Sequence, residues 1–577
     1  MSFLSEKHTR LFSRNQSFGA IFAERGHQYG FIVLLFVVLL LPNLFVTFLS
    51  SDLSGDVLKK IVYLTFSLFV LLVPALFLKL RWYFTFESIF MLIAPFEIGY
   101  VWVNKSTSTV GYISSLFNTN KSETIELLVT LKLLIVILLI VWIAYYYIVF
   151  RKIKNTYLFK RNISIAVFIV IIFFNMLLFS SMYLLEYRRT KSGTSMDAVA
   201  GHFLNKYRKT YPCNIISIII IKYMNHQLVS GMQENMATFT FQAQQALPPE
   251  GREIYLVVIG ESARYGNFSI NGYDRETSPL LEKTNGLLSY HNVYASSNVT
   301  EYALSFLLSR ATPLNPEQAY REKSLVEAFK ECGFYTAWIS NQSCHYPYIE
   351  RIAKDADYTH LSFNDSDVDN HDGQLLKYIE AVLDKNEPKT LMVVHTMGSH
   401  FRYNYRYPKE FERFTPALQS SSDYALVNKT NKPLLINSYD NTILYTDYML
   451  SEIIKRVADT NSLSVVLYVS DHAENLYDDG SSLFLHGTKN PPEKEIHVPL
   501  FIWTSTKYQI FYASKQQSLE ANINAKISAS NLFDSIVDMA GITYPEENPE
   551  KSIASASFKE DSIRFVYSAN NEVILFQ

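Results

Sequence analysis

Cysteine is nearly missing from this 577-residue chain: Cys213, Cys332 and Cys344 are the only three. An odd count excludes a fully paired intrachain set, although Cys332 and Cys344 are free to pair in an oxidising compartment or to remain buried thiols. No CxxC or CxxH spacing occurs, so a cysteine metal site is excluded. Strong net charge is also missing, the formal value being −2. Without a basic run there is no electrostatic footprint for nucleic acid, and no nucleic-acid partner is expected. Internal repeats and low-complexity tracts are absent as well.

Long apolar runs, in contrast, are plentiful in the first third. Five stretches approach the roughly 20 residues that cross a bilayer: Phe31–Ser50, Ile61–Leu80, Tyr83–Val103, Leu127–Phe150 and Ile163–Leu185. The third carries Glu87 and Glu97. The first is too long and too far from the start for an ordinary cleaved signal peptide. Lys7, Arg10, Arg14 and Arg25 precede the first span, Lys79 and Arg81 follow the second, and Arg151, Lys152, Lys154, Lys160 and Arg161 follow the fourth. The alternate loops hold mainly Lys59, Lys60, Lys105 and Lys121. This asymmetry predicts a cytoplasmic N-terminus and, after five spans, a C-terminal domain on the outer side. Arg188, Arg189 and Lys191 oppose that orientation, but long domains translocate despite such charges.

The expected organisation is therefore a transmembrane domain over 1–190, a juxtamembrane bridging region over 191–250 and a globular domain over 251–577. Within the bridge, Ile215–Ile221 is apolar and too short to span. It reads equally as a helix lying on the membrane surface and as one packed on the globular domain.

The globular part alternates two patterns. Short, nearly continuous apolar runs occur at "REIYLVVIGES", Phe334–Ile339, Leu391–Val394, Val465–Val469 and Val498–Trp503. Helical periodicity occurs at Lys323–Cys332, Gly373–Asp384, Asn437–Ala458 and Ala529–Ala540. Strands buried on both faces and interleaved with helices predict an α/β/α domain with a mostly parallel central sheet. Asn404–Pro433 reads as a long functional loop.

In such folds chemistry gathers at the carboxyl ends of the strands. The first run ends in Glu261, the third in His395 with His400 following, and the fourth in Asp471-His472 with Glu474 two residues on. Thr300 stands before an apolar helical pattern, and His486 lies in a Gly-bearing loop. In a regular strand Asp471 and His472 would point to opposite faces, but past its end both can turn toward one ion. A bare carboxylate at a buried strand end is costly, so Glu261 requires a partner, either an ion or a nearby arginine such as Arg264 or Arg275. Singly, each residue has an ordinary structural reading: Asp471 as a helix cap, Thr300 as an N-cap or part of an N-x-T sequon, the histidines as hydrogen-bonded surface groups. Jointly they form a hard-oxygen and imidazole set suited to a divalent ion, most naturally zinc.

The segments "VVIGESARYGNFSINGYDRETSPLL", "SYDNTILYTDYMLSEII" and "YVSDHAENLYDDGSSLFLHG" resemble the phosphoethanolamine transferases of Gram-negative inner membranes, within the alkaline phosphatase/sulfatase-like superfamily. The resemblance covers nearly the whole chain. It implies a multi-pass inner-membrane protein with a periplasmic catalytic domain on a five-helix anchor. Glu261 matches a zinc ligand, Thr300 the nucleophile that also touches zinc, and Asp471 and His472 the remaining ligands. His400 and His486 match histidines that contact the phosphoryl group or hold a second zinc. Glu474 matches an acidic substrate-site residue, and Asn341 and Gln342 fall near a stretch lining the donor site. The implied reaction moves phosphoethanolamine from phosphatidylethanolamine, through a phosphothreonine, to a lipopolysaccharide or lipooligosaccharide acceptor at core heptose or lipid A. The stretch "GSHFRYNYRYPKEF" looks more like the heptose-modifying branch, and Ala473 stands where the pattern usually has glycine. Two other readings share the fold: a phosphoglycerol transferase of the lipoteichoic-acid-synthase type, which the extra histidines disfavour, and a non-catalytic membrane-anchored binding protein. Sulfatase activity requires a Cys or Ser in a C/S-x-P-x-R context, which is absent around Thr300.

Overall fold

The computed structural model describes residues 18–576 except 51–52, 54, 110–131, 191–198, 200–202, 204–206, 208–209, 218, 221–222, 224–235, 237, 246, 343–345, 362–370, 420–430 and 482. The chain forms two compact units, one from residues 1–108 and 131–220, the other from 109–130 and 221–577.

The first unit is helical. Among the described residues its long apolar helices are α1 (Phe18–Leu49), α2 (Val57–Leu72), α3 (Leu80–Asn104), α4 (Lys132–Arg151) and α5 (Arg161–Thr190). Among the described residues, three segments are long and apolar enough to cross a membrane: Gln28–Leu49, Leu80–Trp102 and Arg161–Leu184. The stretch expected to run on to Leu80 stops at Leu72 and tightens into a 3₁₀ turn at Pro74–Leu76. Pro74 has no N–H to continue the helix and restricts the residue before it. Residues 127–131 of the expected fourth span lie outside the described residues.

The second unit is built on a seven-stranded sheet. In chain order its strands are β1 (Glu253–Gly260), β2 (Leu287–Tyr290), β3 (Tyr335–Ser340), β4 (Tyr358–Leu361), β5 (Lys389–His395), β6 (Leu463–Ser470) and β7 (Leu500–Thr504). Their spatial order is β2-β7-β6-β1-β5-β3-β4. β1 pairs in parallel with β5 and β6, and β3 with β4 and β5. β7 is antiparallel to both β6 and β2, so the sheet is mixed at one edge.

Helices cover both faces. On one side lie α6 (Thr300–Leu308), α7 (Leu325–Glu331) and α10 (Leu532–Met539), whose Phe306, Phe329 and Phe533 share a core with Tyr255, Val257 and Ile259 of β1. On the other side lie α8 (Leu376–Leu383) and α9 (Lys432–Asp459), whose Ile379, Tyr439 and Ile453 share a core with Ile254, Leu256 and Val258. Alternate residues of β1 thus face opposite cores, which explains why all eight are buried and why the strand reads as continuously apolar. Each such side chain contributes about 1.5–3 kcal/mol by leaving water.

Cys332, which closes α7, is a half-buried free thiol pushed up to about 11 by burial. Cys344, with which it was free to pair, lies outside the described residues.

Candidate active site

Strand register places the key residues side by side. Ile259 of β1 is level with His395 of β5 and Val469 of β6, and Gly260 with Ser470. The residues one step further, Glu261, Thr396 and Asp471, therefore leave the sheet together at its carboxyl edge, with β1 central between β5 and β6. Ser262 turns the chain there with φ +58°, in the left-handed region. Its N–H donates to Asp471 Oδ1 at 3.1 Å and its hydroxyl to Glu261 Oε1 at 2.7 Å, so the strained residue holds both carboxylates.

Glu261, Asp471 and His472 are fully buried and bring three ligand atoms within 4.8 Å of one another. His472 Nε2 lies 3.3 Å from Asp471 Oδ2, 3.5 Å from Glu261 Oε1 and 3.2 Å from the Thr300 hydroxyl. The other ring nitrogen, Nδ1, faces the Ala473 carbonyl at 3.1 Å, a contact that only an N–H satisfies. Nε2 therefore carries a lone pair toward two carboxylates and a hydroxyl. Asp471 Oδ2 is buried with no hydrogen-bond partner among the described residues. Three oxygens lie 3.2–3.5 Å from His472 Nε2 with an orphaned oxygen among them, and this carboxylate, imidazole and hydroxyl donor set is one that suits zinc.

Electrostatics agree. Burial would raise the Glu261 carboxyl, and only positive charge at His472, His400 and His486, with the Gln342 amide, holds it below the usual carboxylate range; with His472 neutral, a bound cation would have to supply that charge. Asp471 is driven well above the usual carboxylate range by burial and by the Glu261 charge. Two anions cannot share this dry site without a cation. Neither nearby arginine supplies it: Arg264 pairs with Asp478 at 3.0 Å and Arg275 with Asp440 at 2.5 Å.

Two further histidines flank the set, and His400 is close enough to act on the Glu261 charge. His486 packs its ring 3.9 Å from that of His472. Each of the three histidines has Nδ1 engaged: His400 on the Phe401 carbonyl at 2.7 Å, His486 on Glu474 Oε1 at 3.0 Å, His472 on Ala473. This pattern leaves Nε2 of each as the ring nitrogen able to serve a metal or substrate. Glu474 is fully buried, and its second oxygen accepts from the Tyr403 hydroxyl. Its position beside His486 is that of a group fixing the imidazole.

The structure places Gln342 and Asn341 behind the site. Gln342 donates to Glu261 Oε2 at 3.0 Å and to the Thr396 carbonyl at 2.7 Å. Asn341 donates to Asp372 Oδ1 at 2.8 Å. Asp372 in turn accepts from the N–H groups of Met397 and Gly398. His395 is buried next to this layer and lowered to about 4 by burial, hence neutral. Ser262, Asp372 and Tyr403 belong to the site's framework and were not singled out by the sequence. Ser262 carried a signal, standing directly after Glu261 at a strand end, whereas nothing local marks the other two.

A helix that opens on Thr300, beside the buried Glu261–Asp471–His472 set at the carboxyl edge of a mixed α/β/α sheet, is a layout suited to metal-assisted chemistry on esters. The chain belongs to the sulfatase family, whose profile matches residues 253–542. It is 30% identical over 348 residues to the phosphoethanolamine transferase EptC of Escherichia coli K12, covering 57% of this chain and 59% of that protein. It is 29% identical over 324 residues to the Kdo(2)-lipid A phosphoethanolamine 7''-transferase of the same strain, covering 53% and 54%. The match thus spans under two thirds of these curated relatives. The zinc complex of the periplasmic domain of Escherichia coli EptC superposes with a TM-score of 0.52 at 27% identity, covering 57% of this chain and 94% of that one. The integral membrane lipooligosaccharide phosphoethanolamine transferase A of Neisseria meningitidis shares the fold over 90% of this chain and 98% of its own, with a TM-score of 0.68 at 21% identity.

Proposed function

We propose that this protein transfers phosphoethanolamine from phosphatidylethanolamine to a lipopolysaccharide or lipooligosaccharide acceptor at the periplasmic face of an inner membrane. The five apolar helices of residues 1–190 are its anchor, 191–250 the bridge, and 251–577 the catalytic domain. The observation that carries this reading is the Thr300 hydroxyl, 3.2 Å from His472 Nε2 and facing the buried set Glu261, Asp471 and His472. Relatives named for phosphoethanolamine transfer support the headgroup.

Glu261, Asp471, His472 and Thr300 would hold zinc, which supplies Lewis-acid charge that makes an alcohol nucleophilic at neutral pH and offsets phosphoryl charge. The Thr300 oxygen attacks the phosphorus and its hydroxyl proton passes to a neighbouring imidazole Nε2, the phosphorus bond to the diacylglycerol oxygen breaks, and that oxygen takes up a proton. His486, held on Glu474, offers that proton or a hydrogen bond from Nε2, and His400 does the same from the other side. Phosphoethanolamine remains esterified to Thr300. An acceptor hydroxyl then attacks phosphorus, loses its proton, and restores the threonine. The start of α6 adds a favourable dipole for the phosphoryl anion.

The test is mass spectrometry of the full-length protein incubated with phosphatidylethanolamine and no acceptor. A phosphoethanolamine adduct on the Thr300 peptide is expected, and none in Thr300→Ala. Labelled phosphatidylglycerol as donor is expected to leave no adduct; a phosphoglycerol adduct in its place would overturn the headgroup assignment.

A further inference from the structure

Glu495 is a buried carboxylate outside the metal set, in the single turn Glu493–Ile496 that precedes β7. Among the described residues, every hydrogen-bond partner of its carboxylate is a neutral donor. Oε1 accepts from Asn298 Nδ2 at 2.5 Å and the Thr488 N–H at 2.9 Å. Oε2 accepts from the Thr488 hydroxyl at 2.6 Å and Asn475 Nδ2 at 2.8 Å. The Glu495 main-chain carbonyl accepts from the Ala473 N–H at 2.9 Å.

These donors come from three separate loops. Asn298 lies two residues before Thr300, Ala473 and Asn475 follow Asp471 and His472, and Thr488 lies two residues after His486. Each side-chain amide is itself fixed. Asn298 Oδ1 accepts from the Ala569 N–H at 2.8 Å, and its Nδ2 also reaches the Thr488 carbonyl at 2.8 Å. Asn475 Nδ2 also reaches the Leu485 carbonyl at 2.8 Å. Neither amide can turn an oxygen toward Glu495 without losing these bonds. Four donors around one buried group call for a carboxylate, and an uncharged amide there would set N–H against N–H.

We infer that Glu495 is a positioning residue whose carboxylate ties the Thr300, Asp471–His472 and His486 loops into one rigid unit. It touches no substrate. It acts by keeping nucleophile, ligands and His486 at their mutual distances, to the tolerance of about 0.5 Å that such constellations require. The inference rests on the reading of Thr300 as the nucleophile.

The test uses Glu495→Gln in the full-length, zinc-loaded protein. Gln matches Glu in volume but turns one acceptor into a donor. With fluorescent phosphatidylethanolamine, kcat is expected to fall about 100-fold, the effect of an ångström-scale misplacement, while KM stays within about twofold. Zinc content is expected to be unchanged. Amide exchange over 298–302 and 486–489 is expected to quicken, with β1 and β6 still protected. Asn298→Ala removes the amide's bonds to Glu495, to the Thr488 carbonyl and from the Ala569 N–H, leaves the Asn475 bond to Glu495 in place, and is expected to lower kcat in the same way. The double variant is then expected to lose less than the product of the two single losses. Wild-type kcat with unchanged exchange in Glu495→Gln would overturn the inference, as would strictly multiplicative losses or a kcat loss matching the fraction of zinc-free protein. Should Glu495→Gln not fold, Asn298→Ala decides by the same rate and exchange readouts. A wild-type protein that moves no phosphoethanolamine would instead sink the reading of Thr300, and the exchange measurement would still decide whether Glu495 joins the loops.

Discussion

Gly398 shows how tightly Glu261 is held from behind. Its φ is +50°, and a Cβ there would stand 2.8 Å from the Glu261 carbonyl oxygen and 2.9 Å from its nitrogen. The neighbouring Ser399 N–H donates to that same carbonyl at 2.9 Å. An added methyl has only main chain to push against, so it must displace Glu261 or unwind the turn. Gly398→Ala is therefore expected to weaken zinc binding about 10- to 100-fold, the range for lost ligand support, as measured by competition with a chromogenic chelator. Unchanged affinity would mean that this turn does not hold Glu261. The proposed ligands were legible in the sequence because each is a charged or polar residue where a buried apolar run stops: Glu261 after Gly260, Asp471-His472 after Ser470. Their supports were not. Tyr403 and Glu495 sit in segments whose local pattern has no strand end to flag them, and only the folded chain brings them to Glu474 and Asn298. Glu474 was legible as an acid near the site, but its two contacts, to His486 and Tyr403, belong to the tertiary structure alone.

At the scale of elements, helix α9 carries an unusual load. It packs Tyr439, Ile443 and Ile453 into the core while burying Asp440 and Asp447 on the same helix. Asp447 accepts from the N–H groups of Leu280 and Leu281 at 3.0 and 2.8 Å, fastening the 3₁₀ turn Leu281–Lys283. Burial raises its carboxyl to about 7, although those two N–H groups pull the other way. In the unfolded chain an aspartate titrates near 3.9. Between about pH 4 and 7 the folded form holds a proton that the unfolded form has lost, so this residue makes stability fall as pH rises through that window and adds no slope above it. Asp447→Asn is expected to flatten the change in urea midpoint between pH 5 and pH 8. An unaltered slope would assign the pH dependence to other groups. The strands were readable at this scale because burial on both faces forces an unbroken apolar run. Strand direction was not: Leu500–Thr504 is as fully buried as the parallel strands β1 and β6 yet runs antiparallel to β6 and β2, since apolar content carries no sign. β4 escaped notice for the opposite reason, its half-exposed pattern at the sheet edge leaving little hydrophobic signal.

The whole molecule joins a helical unit, with three bilayer-length apolar segments among its described residues, to a sulfatase-family domain on one chain. For a soluble hydrolase such an attachment would be idle. For an enzyme whose donor is a membrane lipid it changes the relevant concentration, because enzyme and donor then share a surface. The rate should follow the donor's fraction of that surface and not its amount in the bulk volume. With full-length protein in mixed micelles at fixed total phosphatidylethanolamine, adding inert detergent is expected to slow headgroup transfer roughly in inverse proportion to total amphiphile. Fold, zinc content and bulk donor are unchanged in this experiment, so a structural effect on the catalytic domain cannot mimic the decline. A rate that ignores the dilution would show that the donor is taken from solution, and the apolar helices would then need a purpose other than bringing the Thr300 site to its lipid.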